Sequence, residues 1–440
     1  MGKLYTFPPF DELVLPSGIR FICIHDDEQD GFVLMHQFPF GRFSDPEKKD
    51  GCAELTFALM QKGIEGCESE KFSEIFEHAG AVLFSDVTEE HSMLGVRMLS
   101  SAQETLLPLF FGMVTKPSML QSELSRLQRE MVTAIRAEQV EPSVIAQNHF
   151  VVETAGKQHP LGKLHTVKSV GSIRLDEVKT FFKKNVIPAG SIIVAAGKFD
   201  PARLKKNIET IIGQWETGLP GVEKFASALE MKPSGYRFIE KTDSTQATLI
   251  IGHEAPGDEY PDRNALIVAN YILGGGNFSS RLMTRIRSES GKTYGIHSQI
   301  GMQKRSGLFS IATSTQNNQV RTVIQGILDT LRDFVEKGIT QEELDNARQY
   351  FIGNMAFQLE GIGNVAEKIL WLRTNGYPET YVENYDQMLN ELSLEKINVI
   401  IKEIFKPDML KIVVVGRKDE LLSQLSSFGA FKVFHFRDSV

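Results

Sequence analysis

The segment PSGIRF at residues 16–21 recurs as PSGYRF at residues 233–238, an offset of 217 residues. Gly197 and Gly416, near the ends of the two copies, keep almost the same spacing, at 219 residues. Chance similarity does not hold one register over such a length, so the sequence predicts an internal duplication. The duplication decides the fold, because each copy must then supply its own strands and helices.

Each copy carries strand-like and helix-like patterns in the same order. Apolar and β-branched runs predict strands at the start and end of each copy, at residues 19–25, 191–196, 236–241 and 410–415. Between these runs, apolar residues recur at helical spacing; they are Ala53, Phe57 and Met60 in the first copy and Val323, Ile327 and Leu331 in the second. The sequence predicts an α+β fold class, with helices packed on a mainly antiparallel sheet in each copy.

The boundary between the copies falls in a stretch that begins and ends with turn formers. Pro220 and Pro233 flank a short run of small and acidic residues, a composition typical of a linker. We therefore expect a first domain at residues 1–219, a linker at residues 220–232 and a homologous second domain at residues 233–440.

Composition and charge exclude several classes of protein. The 440 residues are 42% hydrophobic and 24% charged, as in ordinary globular proteins. The 48 basic and 56 acidic residues give a net charge of −8, which offers no general attraction to nucleic acid or anionic lipid. The most apolar stretch, residues 105–115, is far shorter than the ~20 residues of a transmembrane helix. Three cysteines without a CxxC pair favour a reducing compartment, so we expect a cytoplasmic protein, or a periplasmic one if a leader was removed.

Three glycine-containing strings resemble a single family. They are GKQHPLGK at residues 156–163, AAGKFD at residues 195–200 and LGGGNFSSRL at residues 273–282, the last followed by Arg287 and Tyr294. The strings resemble those of the insulinase-like (pitrilysin) zinc metallopeptidases, above all the short branch of bacterial processing-type peptidases and mitochondrial processing peptidase subunits. The resemblance implies a half-clam of two similar α+β domains, and two such chains pairing around a chamber that admits unfolded peptides.

The metal positions of that family are all changed in this chain. Active members carry HxxEH on a first-half helix, where two histidines bind zinc and the glutamate acts as general base, and a downstream glutamate completes the site. The resemblance places Glu54 and Ala58 at the histidine positions, Phe57 at the base and Ala134 at the third ligand. Because zinc needs three protein ligands and only Glu54 remains, we expect no metal in this chain and zinc in a partner chain.

The second half keeps a pair of residues that active members use. An arginine and a tyrosine seven residues apart reach the zinc site from the second domain of those enzymes, and the resemblance assigns these roles to Arg287 and Tyr294. A guanidinium and a phenol can hold a substrate carbonyl and stabilise the developing oxyanion. Considered as isolated residues, Arg287 suits a solvated or ion-paired surface position among Arg281, Arg285 and Glu289, and Tyr294 suits a half-buried strand position.

Other candidate residues have simpler interpretations. The resemblance implies a substrate-binding role for Gly274, Gly275 and Gly276, and no Gly-Lys-Ser/Thr follows them, which argues against a nucleotide-binding loop. We expect the acidic run from Glu89 to be a solvated strand end rather than a displaced zinc site. His159, directly before a proline, is expected to be a structural turn residue.

Loss of the zinc residues with retention of the Arg–Tyr pair predicts the non-catalytic subunit of a heterodimeric zinc metallopeptidase. On this hypothesis the chain alone is not a peptidase, and metalloendopeptidase activity on unstructured peptides needs a homologous HxxEH-bearing chain. The alternative is a catalytically inert structural or peptide-binding homodimer, as the core subunits of a respiratory complex are within this family. A third hypothesis, an independent hydrolase, finds no GxSxG element in the sequence.

Overall fold

The computed structural model describes residues 4–212, 215, 225–276, 278–288 and 293–438, with the main chain alone for Ser288 and Tyr294. The described residues form two compact units. The first draws on Met1–Ala134, His165–Lys224 and Met355–Asn384, and the second on Ile135–Leu164, Phe225–Asn354 and Tyr385–Val440. Residues 220–224 of the predicted linker lie outside the described residues.

The described strands form one six-stranded sheet in each unit and a separate two-stranded sheet in the first. In the first unit they are β1 Asp11–Val14, β2 Arg20–His25, β3 Gly31–Phe38, β4 Gly63–Ile64, β5 Cys67–Glu68, β6 Val82–Val87, β7 Ser92–Leu99 and β8 Ile192–Gly197. In the second unit they are β9 Gly235–Glu240, β10 Gln246–Pro256, β11 Thr293–Met302, β12 Ser306–Gln316, β13 Lys411–Gly416 and β14 Lys432–His435. The four strands predicted from the apolar runs correspond to β2, β8, β9 and β13, which confirms those predictions to within about one residue at each end.

Helices make up most of the remaining structure. In the first half of the sequence they are α1 Cys52–Met60, α2 Ser69–His78, α3 Gln103–Thr115, α4 Gln121–Glu138, α5 Pro142–Ala155, α6 Val167–Gly171, α7 Leu175–Asn185 and α8 Pro201–Ile212. In the second half they are α9 Arg263–Asn270, α10 Val320–Lys337, α11 Gln341–Phe357, α12 Gly361–Thr374, α13 Thr380–Glu383, α14 Tyr385–Asn390, α15 Leu394–Ile404 and α16 Lys418–Leu425. The most apolar stretch of the sequence lies in α3, and among the described residues no helix is both long and apolar enough to cross a bilayer.

Five strands of each six-stranded sheet repeat one topology, whereas the sixth differs, because β1 is antiparallel to β2 and β14 is parallel to β9. Within the described residues each unit has a six-stranded sheet, ordered β1-β2-β8-β3-β7-β6 in the first and β14-β9-β13-β10-β12-β11 in the second. The strand that opens each copy pairs in parallel with the strand that closes it, β2 with β8 and β9 with β13, and most other neighbours are antiparallel. The expected α+β fold with mainly antiparallel sheets is confirmed.

Each unit also takes in helical chain from the other sequence copy. Helix α5 belongs to the second unit and packs on β10 and β13, whereas α12 belongs to the first unit and packs on β3 and β8. Side chains of β13 alternate between the two faces of its sheet. Val413 and Val415 pack in a cluster with Phe150 of α5, while Ile412 and Val414 join the larger core on the other side. The predicted boundaries at 219 and 233 describe the sequence copies and stay a prediction.

Candidate functional site

Helix α1 carries three of the four residues that stand at the family's metal positions. It starts after Gly51, whose φ of 102° lies in the left-handed region that favours glycine. The Asp45 carboxylate accepts hydrogen bonds from the main-chain N–H groups of Gly51 and Ala53, both at 2.7 Å. These bonds satisfy donors that the start of a helix leaves unpaired. Burial raises the pKa of Asp45 to about 7.

Glu54, at the first histidine position, is part of an ionic cluster. Its Oε1 lies 3.5 Å from Nη1 of Arg42, and its Oε2 lies 3.6 Å from Nδ1 of His165. The same guanidinium donates to the carboxylate of Glu89. Arg42 therefore supplies the positive charge that stabilises both carboxylates, as a charge-assisted pair does. The one acidic residue left at the metal positions therefore already has a protein cation beside it, which it shares with Glu89.

The general-base position has become part of the hydrophobic core. Phe57 is 1% exposed, and its ring meets those of Phe38 and Phe40 edge-on, with centroids 5.9 and 5.6 Å apart. Ala58 is half-buried on the same helix, and Ala134 is exposed on α4. No group of three His, Cys, Asp or Glu side chains suited to a metal ion occurs in the part of the chain that the structure describes.

The structure also places His159 and the acidic run that begins at Glu89. His159 Nδ1 accepts a hydrogen bond from the main chain of Leu161 at 3.2 Å, and its Nε2 lies 2.9 Å from the Ser227 carbonyl, which confirms a turn residue. The acidic run from Glu89 occupies the β6–β7 turn. The prediction of a solvated strand end is wrong for Glu90, which is 7% exposed, because the turn folds its side chain inward.

The glycine-rich segment of the second unit is tightly packed at two of its three glycines. A Cβ on Gly274 would lie 2.6 Å from Ser298 Oγ, and a Cβ on Gly276 would lie 2.7 Å from the ring of Tyr271. A Cβ at either position would therefore force a neighbouring side chain to move. Gly275 is exposed. Substrate binding by these glycines stays a prediction.

The chain before and after this loop is wound as π-helix, at Tyr271–Gly275 and Met283–Ser288. π-Helical turns are rare in proteins as a whole, but those that occur are often found at functional sites. The ring of Tyr271 also stacks on Tyr350, with centroids 4.5 Å apart and an interplanar angle of 24°. The stack and the contact with Gly276 fix one side of the loop.

Arg287 lies in the second π-helical stretch. Leu282 and Ile286 of this region are buried, at 0% and 3% exposed. Arg287 is half-buried, and its guanidinium carbon lies 4.7 Å from the ring centroid of Phe278. The main chain of Tyr294 lies in β11, a strand as expected, while its side chain lies outside the described residues.

The neighbouring arginines make the surface ion pairs considered for Arg287. Arg281 donates from Nε and Nη2 to the two carboxylate oxygens of Glu343, at 2.6 and 2.7 Å. Arg285 donates to Asp333 at 2.9 Å. The described contact of Arg287, by contrast, is with an aromatic face.

Two family models match consecutive parts of the chain. The model described as Insulinase (Peptidase family M16) matches residues 22–164, and the model described as Peptidase M16 inactive domain matches residues 172–351. The chain belongs to the M16 peptidase family. It is a member without the HxxEH motif, since no such string occurs in its sequence.

Relatives within the M16 family match the chain over most of its length. A Bacillus subtilis (strain 168) protein named "Uncharacterized zinc protease YmxG" is 24% identical over 402 residues, which cover 89% of this chain and 95% of that protein. A Helicobacter pylori protein named "Non-peptidase homolog YmxG" is 24% identical over 400 residues, covering 88% and 89%. A crystal structure of a peptidase M16 inactive domain from Pseudomonas fluorescens has a TM-score of 0.86 at 23% identity, covering 93% of this chain and 98% of that one. This likeness shows the same fold.

Some contributors to the site carry no sequence signal of their own. Asp45 caps α1 from six residues before Gly51, outside any short capping pattern. Arg42, Glu54 and His165 meet only in the folded unit. Phe278 is a single aromatic residue in a loop, and only its position over Arg287 distinguishes it.

Proposed function

We propose that this chain is the non-catalytic subunit of a heterodimeric M16 metallopeptidase that cleaves unstructured peptides. A homologous HxxEH-bearing chain holds the zinc ion and the general base. This chain contributes Arg287 and Tyr294 to the active site of that partner, where the guanidinium and the phenol hold the substrate carbonyl as negative charge develops on its oxygen.

One asymmetry between the two units carries the proposal. The first unit has Phe57 in its core where the family has its base, and Glu54 in an ion pair with Arg42 where the family has a ligand. The second unit retains Arg287, whose guanidinium, among the described residues, lies against an aromatic ring. If the chain had lost every role in catalysis, we would expect the Arg–Tyr pair to have changed as the metal positions have.

Names among the relatives are compatible with both roles within the family. The H. pylori relative is called a non-peptidase homolog, and the B. subtilis relative a zinc protease. For this chain, the absence of an HxxEH string makes the non-catalytic role the chemically consistent one, because a metal-bound water requires the metal.

The experiment mixes the purified chain with the HxxEH-bearing M16 chain of the same genome and follows cleavage of an unstructured fluorogenic peptide. We expect cleavage by the mixture and by neither chain alone. Arg287→Ala should lower kcat by about 10²–10³, the range for loss of one oxyanion donor, and Tyr294→Phe should also lower it. Arg285→Ala is the matched control, since Arg285 pairs with Asp333 on the surface.

Two results would overturn the proposal. One is a mixture without peptidase activity in which this chain forms only a self-associated species; that outcome supports an inert homodimer. The other is an active mixture whose kcat does not change with Arg287→Ala or Tyr294→Phe.

A further inference from the structure

Phe278 is the most exposed large apolar side chain of the glycine-rich segment. It is 68% exposed, although it directly precedes a stretch anchored in the core by Leu282 and Ile286. Its ring lies under the guanidinium of Arg287 at 4.7 Å. An aromatic ring at this distance attracts a cation through its negative face.

The kind of contact determines what the guanidinium can still do. A guanidinium has five N–H donors, and an aromatic ring offers no lone-pair oxygen to occupy them as a carboxylate does. Arg281 is different, because Glu343 occupies Nε and Nη2, and Gly338 accepts a further bond from Nη2 at 2.8 Å. A ring can therefore restrain Arg287 while its in-plane donors stay available to a carbonyl oxygen.

The local structure sets the relative position of the two side chains. Leu282 and Ile286 are buried and hold the π-helical stretch that carries Arg287. Thr284 Oγ1 lies 3.5 Å from the carbonyl oxygen of Phe278, at the outer limit of a hydrogen bond. The main chain that carries the Phe278 ring therefore lies next to the helical stretch that carries Arg287.

We propose that Phe278 is a positioning residue for Arg287, whose guanidinium plane it orients so that the N–H groups face a peptide carbonyl. The inference rests on the proposed function, because it concerns the same donor. It adds that an aromatic ring at position 278 is required for full turnover, although Phe278 itself contacts no reacting atom.

The kinetic test uses the full-length chain mixed with its zinc-bearing partner and an unstructured fluorogenic peptide. Phe278→Leu removes the ring but keeps an apolar side chain, and we expect kcat to fall about two- to fivefold, as suits an exposed cation–π contact, with KM nearly unchanged. Phe278→Tyr keeps the ring and should restore kcat. In an Arg287→Ala background, Phe278→Leu should have no further effect, because the group it orients is gone.

A spectroscopic test needs no partner. In the full chain labelled with ¹⁵N-arginine, the Nε–H resonance of Arg287, assigned with Arg287→Lys, should be shifted by the ring. The shift should vanish in Phe278→Leu and persist in Phe278→Tyr. Unchanged thermal unfolding of both variants, expected for an exposed side chain, verifies folding.

The outcomes separate this inference from the proposed function. An inactive wild-type mixture refutes the proposed function and removes the basis of the inference. If Arg287→Ala lowers kcat while Phe278→Leu leaves it at the wild-type value, the proposed function stands and the positioning role is refuted. An Arg287 resonance that does not respond to Phe278→Leu also refutes it.

Discussion

Replacing Phe57 by glutamate restores the residue type of the family's general base, and we expect it to destabilise the first unit severely. Phe57 is 1% exposed and packs against two other phenylalanines. Loss of a buried aromatic ring costs about 3–5 kcal/mol, and a buried polar group without partners adds about 1–3 kcal/mol. The sum, about 4–8 kcal/mol, is most of the ~5–15 kcal/mol that stabilises a typical domain.

Tryptophan fluorescence during urea unfolding measures this loss in the relevant unit. The chain has two tryptophans, Trp215 and Trp371, and both belong to the first unit. Trp215 also lies 6.2 Å from the Phe38 ring, which contacts Phe57, so its emission reports on the same aromatic cluster. The unfolding midpoint of Phe57→Glu should fall far below that of the wild type.

Ala58→His is the matched control on the same helix. Ala58 is half-buried, so its replacement by the family's histidine should change the free energy of unfolding by no more than about 1 kcal/mol. Equal midpoints for the Phe57→Glu variant and the wild type would refute the reasoning. Such a result would mean that position 57 tolerates a carboxylate and that the catalytic base could be regained by one substitution.

Three further predictions concern the stability of the fold. Glu254→Gln should cost about 3–5 kcal/mol in urea unfolding, because it leaves the ammonium group of Lys411, 1% exposed, without its carboxylate; a wild-type midpoint would contradict this. Gly276→Ala should lower the thermal midpoint, since the new Cβ would meet the Tyr271 ring at 2.7 Å, and an unchanged midpoint would argue against that contact. Burial lowers the pKa of His36 to about 3 and the pKa values of His149 and His253 to about 4. The unfolded chain binds these protons near pH 6.5 and the folded chain does not, which lowers stability as the pH falls, by up to about 1.4 kcal/mol per pH unit for each histidine. The raised pKa of Asp45 acts in the opposite direction over the same range, but it offsets only one of the three histidines, so stability should still fall between about pH 6.5 and 4. Equal urea midpoints at pH 7 and pH 5 would refute that expectation.

Local patterns predicted the elements of the fold well. The apolar runs that became β2, β8, β9 and β13 were placed to within about one residue, because alternation and β-branching act over a few neighbouring residues. The repeat also predicted a mainly antiparallel sheet for each copy, which the two six-stranded sheets confirm.

The assignment of helices to units was not predictable in this way. Helices α5 and α12 each belong to the unit built mainly from the other copy. An amphipathic pattern shows that a helix face is buried but does not identify the sheet that buries it.

The candidate site, too, was predictable only in part from the sequence. The lost metal positions, Glu54, Phe57, Ala58 and Ala134, could be named from the motif alone. The contacts that Glu54 now makes could not be predicted from the sequence. Its partners Arg42 and His165 lie 12 and 111 residues away along the chain and meet it only after folding. The same holds for Phe278, whose contact with Arg287 depends on the π-helical winding between them.

On the proposed function, this chain completes an active site whose metal belongs to another chain. The most direct measurement titrates a fixed amount of the zinc-loaded HxxEH partner with this chain, while peptide cleavage and the zinc content of each separated chain are recorded. We predict that the cleavage rate rises from near zero, saturates at one chain of each kind, and leaves all zinc with the partner. A rate that does not respond to this chain, or stoichiometric zinc recovered on it, would contradict the account.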